Sequence, residues 1–343
     1  MRRLGLGVLG CASVAKRRLL PALREVPSVA LVSIGSRDGD RAAAFTAAFG
    51  GRPIAGYQGV LDDPDVDAVY ICLPNSLHSR WAARALHAGK HVLVEKPLAT
   101  GLGQAEELVG IAAERGLHLV EAFAFLHHPQ HRTVRELIAE GVIGTPRTFH
   151  CDFGIPPRTP GDIRLSADLA GGALLDLGVY TLRAATMLTG SELEVVGGYR
   201  RHDPVHEVDT SGCALLASCG GAAVQAEFGF GFGYRSAYSV WGTTGRLSLG
   251  RAFTPPPDRA PVIEVEDVDG PREILLPPSN QFALMAKSFA EDVLTGRDPL
   301  PARAAILRQA ALVSAVREHA GHTARRLTET AGPFAIPFPG GAP

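Results

Sequence analysis

The chain has 343 residues, 46% of them hydrophobic and 20% charged, with a formal net charge of -1, so it is long enough for two domains with sizeable cores. That balance excludes a disordered chain and a polyanion-coating one, and nucleic acid is not an expected partner. Cys11, Cys72, Cys151, Cys213 and Cys219 are an odd, scattered set without a CxxC pair, which excludes a disulfide framework or cysteine zinc site and reads as reduced thiols.

Met1-Arg2-Arg3 passes into an apolar run too short for a signal-peptide core or a membrane span, so no membrane partner and a cytoplasmic location are expected. Short β-type runs at 4–9, 30–35, 68–73, 91–95 and 118–121 alternate with helix-spaced segments at 15–25, 41–50, 79–88 and 102–115. Strands apolar nearly throughout, each followed by a helix, predict an α/β Rossmann domain with a doubly wound parallel sheet over residues 1–122.

Gly5, Gly7 and Gly10 match GxGxxG literally, but the first two fall inside the predicted strand. The frame that lies between strand and helix is Gly10-Cys11-Ala12-Ser13-Val14, where a tight turn of small residues can bring backbone N–H groups to a pyrophosphate. At the end of the second strand, Ser36 and Arg37 offer a hydroxyl and a guanidinium to a 2′-phosphate, which favours NADP(H) over NAD. Asp38 has two readings, a helix N-cap or a ribose ligand, and the second would reverse that preference. Leu73-Pro74-Asn75 with His78, and Glu95-Lys96-Pro97, follow two further strands, on the side where doubly wound sheets bind ligands.

After Ala122 the texture changes to a helix at 129–140, a strand near 147–153, a Pro/Gly-rich loop at 155–161 and a helix at 172–188. Residues 193–276 are mostly β-type with glycine punctuation, which favours antiparallel neighbours. Helices at 282–294 and 302–319 close an α+β domain with a large open, mainly antiparallel sheet over residues 123–330, and 331–343 reads as a flexible tail. His127, His128 and His131 lack the spacing and the carboxylate of a metal site, and no metal is expected.

The glycine loop, Pro74-Asn75 with His78, Glu95-Lys96-Pro97 and the run Gly171-Gly172-Ala173-Leu174-Leu175-Asp176-Leu177-Gly178-Val179-Tyr180 occur in the order found in the Gfo/Idh/MocA oxidoreductase family. Gly10-Cys11-Ala12 and Arg17-Arg18-Leu19-Leu20-Pro21-Ala22-Leu23 are similar to the NDP-hexose 3-ketoreductases of deoxysugar biosynthesis within it. The resemblance covers the chain from about Arg3 to about His319. It implies an open sheet that mediates homo-oligomerisation as dimer or tetramer, a Lys96 that contacts substrate, and a cis bond before Pro97. It also implies that Gly10, Cys11, Ala12, Ser13, Val14, Ser36, Arg37, Leu73, Pro74, Asn75, His78, Glu95 and Lys96 line the cofactor, and that the substrate is a dTDP-linked keto-sugar.

Many members carry histidine where this chain has Tyr180, four residues after Asp176. A phenol holds its proton at neutral pH and suits donation, so Lys96, Tyr180 and Asp176 form a candidate catalytic set for NADPH-driven ketone reduction, with Asp176 orienting the other two. Arg158, Arg164 and Arg235 are candidates for a substrate diphosphate, and Tyr234, Phe123 or Phe125 for a stacked base or, equally, for core packing. Two further readings stay open: a dehydrogenase of free sugars, inositols or dihydrodiols, and a cofactor-binding regulator without turnover.

Overall fold

Aliphatic and β-branched runs bounded by glycine and polar residues form the strands of the first layer. In a computed structural model, which describes residues 2–190 and 192–327, β1 (Leu4–Leu9) leads through a π turn (Ala15–Leu19), α1 (Leu20–Ala22) and a 3-10 turn (Leu23–Glu25) to β2 (Val29–Ser36). There follow α2 (Gly39–Phe49), β3 (Arg52–Ala55), α3 (Gln58–Leu61), β4 (Ala68–Ile71), α4 (Asn75–His87), β5 (His91–Val94), α5 (Leu102–Glu114) and β6 (Leu119–Glu121). The sheet is parallel throughout, in the order β3-β2-β1-β4-β5-β6, so its topological switch point lies between β1 and β4. β1 and β4 are buried along their whole length because helices cover both faces. Strand β3 was not anticipated: it is an edge strand with a proline and little burial, so it lacks the apolar signature.

The second layer begins with a 3-10 turn (Ala124–His127), α6 (Pro129–Ala139) and β7 (Pro146–Ile155). The expected helix at 172–188 is a π turn (Leu174–Gly178) running into α7 (Val179–Thr189). Strands β8 (Leu193–Asp203), β9 (Val208–Ser218), β10 (Ala223–Phe230), β11 (Arg235–Gly242), β12 (Arg246–Gly250), β13 (Val262–Asp267) and β14 (Gly270–Leu275) complete a sheet ordered β14-β13-β12-β11-β7-β10-β9-β8. Its pairs are antiparallel except β7 with β10. The first strand of the layer is inserted between two later ones, a non-local pairing that adjacency in sequence does not reveal. Period-2 alternation sends Phe149, Cys151, Phe153, Val224, Ala226, Phe228, Tyr238 and Val240 to the face covered by α7. Trp241, 63% exposed, belongs to the uncovered face.

The last two helices, α8 (Gln281–Thr295) and α9 (Leu300–Leu327), return to the first layer. Ala283, Met285, Ala286, Phe289 and Ala290 share a core with Leu4, Leu20, Val26 and Phe45, while Ile306 joins the cluster of Ala105, Leu108 and Leu119. Arg303 donates to the carbonyls of Ala112 and Leu117, Gln309 to Val179, and Arg317 to Thr100, so α9 touches both layers. The sequence boundary at 122/123 groups these helices with the second layer, whereas their apolar faces are shared. The tail expected at 331–343 lies outside the described residues. Among the described residues no helix is long and apolar enough to cross a membrane.

Candidate active site

The carboxyl ends of β1, β2, β4 and β5 bring the predicted cofactor residues to one edge of the parallel sheet. Gly5 and Gly7 lie within β1, and Gly10 takes the turn after it with φ +109°, a conformation L side chains rarely adopt. A Cβ there would sit 2.9 Å from Leu73 Cδ2 and 3.1 Å from the Cys72 carbonyl oxygen. Gly10 therefore lets the nucleotide loop pass close over β4, and Cys11, Ala12, Ser13 and Val14 follow it into the π turn. At the carboxyl end of β2, Ser36 is buried and its Oγ accepts from the Asp38 N–H at 3.2 Å, while Arg37 is exposed. Asp38 is the N-cap of α2, its Oδ1 accepting from Asp40 N and Arg41 N, which is the first of its two readings. Arg41 was not foreseen: its guanidinium donates to the Cys11 carbonyl at 2.9 Å and ties the glycine loop to α2.

Two ties hold the β4 and β5 loops together and to the second layer. His78 is buried in the first turns of α4, with Nδ1 2.7 Å from the Pro97 carbonyl and Nε2 2.7 Å from the Leu73 carbonyl. Burial pushes its pKa down while the two carbonyls oppose that by favouring the proton. Asn75 donates through Nδ2 to the Ala170 carbonyl at 2.9 Å, reaching across the cleft. The Lys96-Pro97 bond is cis, as the resemblance implied. Leu98 N–H donates to Glu121 Oε1 at 2.9 Å, fixing the chain beyond Pro97.

Lys96, Asp176 and Tyr180 come together. Lys96 Nζ donates to the Asp176 carbonyl at 2.8 Å and to Asp176 Oδ1 at 2.9 Å, and it stands 5.0 Å from the centre of the Tyr180 ring. Asp176 Oδ2 accepts from Arg164 Nε at 2.8 Å, and Arg164 also pairs with Asp162. Asp176 sits on the π turn, whose entry depends on Gly172 at φ +107°: a Cβ there would lie 2.6 Å from Asp209 Oδ1, and Asp209 Oδ2 accepts from Leu174 N–H. Tyr180 is packed by Phe123, Phe125, Phe153 and Phe253, with ring centres 5.5, 5.8, 5.2 and 5.7 Å away. Each such pair contributes about 0.5–1.5 kcal/mol beyond area burial, and together they hold the phenol in one orientation. Its hydroxyl has no hydrogen-bond partner among the described residues and is not one of the fully enclosed polar atoms, so it is not wholly sealed from solvent.

Charge and burial set the proton inventory. Burial alone would raise the Asp176 pKa, but the Lys96 and Arg164 cations outweigh it and hold the carboxyl below its ordinary range. Burial, then the negative charges of Glu95 and Asp176, push the Tyr180 phenol well above its usual value. Glu95 is raised by burial, opposed by the hydrogen bond from Tyr70 and by Lys96, and Glu121 is raised by burial too. Tyr70 and Glu121 were missed. Their signal was a phenol within an aliphatic parallel strand and a carboxylate at a strand's carboxyl end.

The substrate candidates separate. Arg164 is brought to the site, with Asp176 and Asp162 as its partners. Arg158 is half-buried and donates to the Pro156 carbonyl two residues back. Arg235 pairs with Asp152 at 2.8 Å, and strand alternation puts both on the face opposite Phe153, so this arginine points away from Tyr180. Tyr234 is 41% exposed, bonded to Thr254 and stacked under Arg251. Phe123 and Phe125 are core residues, 1% and 0% exposed, and leave no face for a base. His131 bonds Tyr238 and the Ala252 carbonyl, and His128 caps α6. No group of three or more metal-ligating side chains occurs among the described residues.

Residues 4–123 match the family model described as an oxidoreductase family with an NAD-binding Rossmann fold, and residues 131–248 match the GFO/IDH/MocA C-terminal domain. The chain is 50% identical over 311 residues to a dTDP-3,4-didehydro-2,6-dideoxy-alpha-D-glucose 3-reductase from Actinomadura kijaniata, covering 91% of this chain and 94% of that one. A protein of the same name from Streptomyces violaceoruber is 45% identical over 93% and 96% of the two chains. A D-xylose 1-dehydrogenase (NADP(+)) from Haloferax volcanii is 31% identical over 85% and 90%. The crystal structure of a 3-ketoreductase from Actinomadura kijaniata with NADP and TDP-benzene superposes with a TM-score of 0.91 at 49% identity, covering 93% of this chain and 98% of that chain. Variants of that ketoreductase with one tyrosine changed to phenylalanine, or one lysine to alanine, have similar structures.

Proposed function

The chain belongs to the Gfo/Idh/MocA oxidoreductase family, and from that premise we propose that it reduces the C3 ketone of a dTDP-linked keto-deoxyhexose with NADPH. The observation that carries this reading is the cluster in which Lys96 bridges Asp176 and the face of a proton-holding Tyr180. The lysine and tyrosine substituted in the similar ketoreductase are separated by the same number of residues as Lys96 and Tyr180, which supports their assignment here. Identity to the 3-reductases, 50% and 45%, against 31% to the free-sugar dehydrogenase, favours the nucleotide-sugar substrate.

The residues present fit the cofactor. The Gly10 turn keeps backbone close to the strand ends in a place any Cβ would fill, and Ser36 with Arg37 stands where the adenosine ribose of a Rossmann-bound dinucleotide ends. When bound, NADPH supplies the hydride that the ketone carbon accepts. Lys96 has three N–H donors and spends two on Asp176, leaving one for the substrate oxygen as negative charge develops there. The Tyr180 hydroxyl then gives its proton to that oxygen and is reprotonated from the cleft, so the product is the alcohol. Asp176 acts on Lys96 by position and Arg164 on Asp176. A phenol pushed well above its usual pKa stays protonated at neutral pH, so the ionised form that alcohol oxidation needs as a base is scarce, which favours reduction over oxidation.

Free thiols and NADPH dependence fit a cytoplasmic location. The uncovered face of the larger sheet exposes Trp241, and Val196 and Leu215 are also exposed on its strands. Those apolar side chains support a homo-oligomer, dimer or tetramer, checked by light scattering. The test of function is NADPH consumption with a dTDP-linked 3-keto sugar beside NADP+ reduction with free sugars. Lys96→Met and Tyr180→Phe should each lower turnover by about tenfold or more with NADPH affinity nearly intact. Unchanged turnover in both would overturn the assignment.

A further inference from the structure

Tyr70 lies in the middle of β4, is fully buried, and its hydroxyl donates to Glu95 Oε1 at 2.5 Å. Its register partner on β5 is Leu93, two residues before Glu95. The phenol thus reaches the carboxylate from beneath the edge on which Lys96 stands, and no substrate or cofactor can touch it there. Glu95 is itself only 9% exposed, and a carboxylate in that position needs a donor to remain ionised. The charged and titratable groups that act on it or its neighbours are Tyr70 from β4, Cys72 just beyond that strand, Lys96 beside it, Glu121 from β6, Asp176 from the π turn with its partner Arg164, and Tyr180 from α7. Lys96 is the cation among these nearest to Glu95 in the chain, and it is shared with Asp176.

We propose that Tyr70 is a positioning residue for the reduction: its hydroxyl fixes Glu95 as an anion beside Lys96 and Tyr180, where that buried negative charge adds to burial in holding the phenolic proton until delivery. Tyr70 acts only through Glu95. The direction follows from electrostatics. Without the Tyr70 hydroxyl, the buried carboxyl takes a proton more readily, the negative field at Tyr180 weakens, and the phenol ionises at lower pH. The alkaline limb of turnover then moves down, because the donor has lost its proton.

The inference rests on the reading of Tyr180 as proton donor, so its test includes a readout that needs no turnover. The ionisation of Tyr180 is measured from the alkaline ultraviolet difference spectrum of each protein against the same protein carrying Tyr180→Phe. The proteins compared are the wild type, Tyr70→Phe, Glu95→Gln, and the double variant. Tyr70→Phe keeps the ring that packs β4 and removes one oxygen, and Glu95→Gln provides a second, independent perturbation of the same pair.

Both single variants should bring the Tyr180 step down by about one pH unit or more, and the double variant should show no shift beyond Glu95→Gln alone. The alkaline limb of keto-sugar reduction should move by the same amount. A Tyr180 step that stays in place in Tyr70→Phe, or that moves equally far when Tyr70→Phe is added to Glu95→Gln, overturns the proposal. A wild-type chain that binds NADPH and reduces no keto-sugar would sink the functional reading instead, and the spectroscopic titration would still decide the role of Tyr70.

Discussion

Replacing Asp176 by Asn tests the central ion network most directly, because the change keeps size and removes one charge. Asp176 takes Lys96 at 2.9 Å and Arg164 at 2.8 Å, with the three side chains 16%, 12% and 41% exposed. Removing one partner of a fully buried pair costs about 3–5 kcal/mol, whereas exposed pairs contribute about 0–1 kcal/mol. The Lys96 contact lies toward the first range and the Arg164 contact toward the second, so a loss of about 2–4 kcal/mol is expected. With an unfolding entropy of about 2.1 cal/mol/K per residue, that is a fall in Tm on the order of 3–6 °C. Because the folded pKa of Asp176 is depressed, its stabilisation is present above the unfolded carboxylate value near pH 4 and is lost as pH falls through the folded value. Denaturant unfolding of wild type and Asp176→Asn between pH 3 and 7 should therefore show a gap at neutral pH that narrows below about pH 4. Turnover should fall on the order of tenfold to a hundredfold with NADPH affinity kept, since Lys96 loses its anchor. An equal gap at both ends of that pH range, or unchanged turnover, would refute the network as drawn.

Arg37→Ala should raise KM for NADPH by about tenfold or more while changing KM for NADH little, measured with the same keto-sugar. Gly172→Ala meets both a positive φ and Asp209, so it should destabilise the chain by about 1–3 kcal/mol and lower turnover through the displaced π turn. Arg235→Ala should leave KM for the nucleotide sugar within about twofold, because its side chain sits with Asp152 on the far face of the sheet. A large rise would return this arginine to the substrate site.

The Rossmann layer was legible because each of its inner strands is an unbroken apolar run with a helix on either side, and Gly10, Lys96, Asp176 and Tyr180 stand at the resulting edges. Strand β3 escaped because Arg52 and Pro53 give it neither alternation nor an apolar run. The parallel pairing of β7 with β10 escaped because it joins residues far apart in sequence, and nothing local in Thr148 or Ala223 marks the partner. Side-chain destinations were the least legible. Asn75 and Arg164 sit near the expected ligands and yet bond Ala170 and Asp176, and Arg235, expected at a substrate diphosphate, pairs with Asp152 on the face opposite Phe153.

The return of α8 to the first layer makes that layer discontinuous in the chain. Leu4, Leu20 and Val26 emerge first during synthesis, and the Phe289 and Met285 side chains that complete their core are made more than two hundred residues later. The nucleotide-binding unit is thus begun by the opening segment of the polypeptide and finished by nearly its last. Between those two events the whole second layer has time to form, and the protein closes on itself by docking a late helix onto an early, waiting apolar surface.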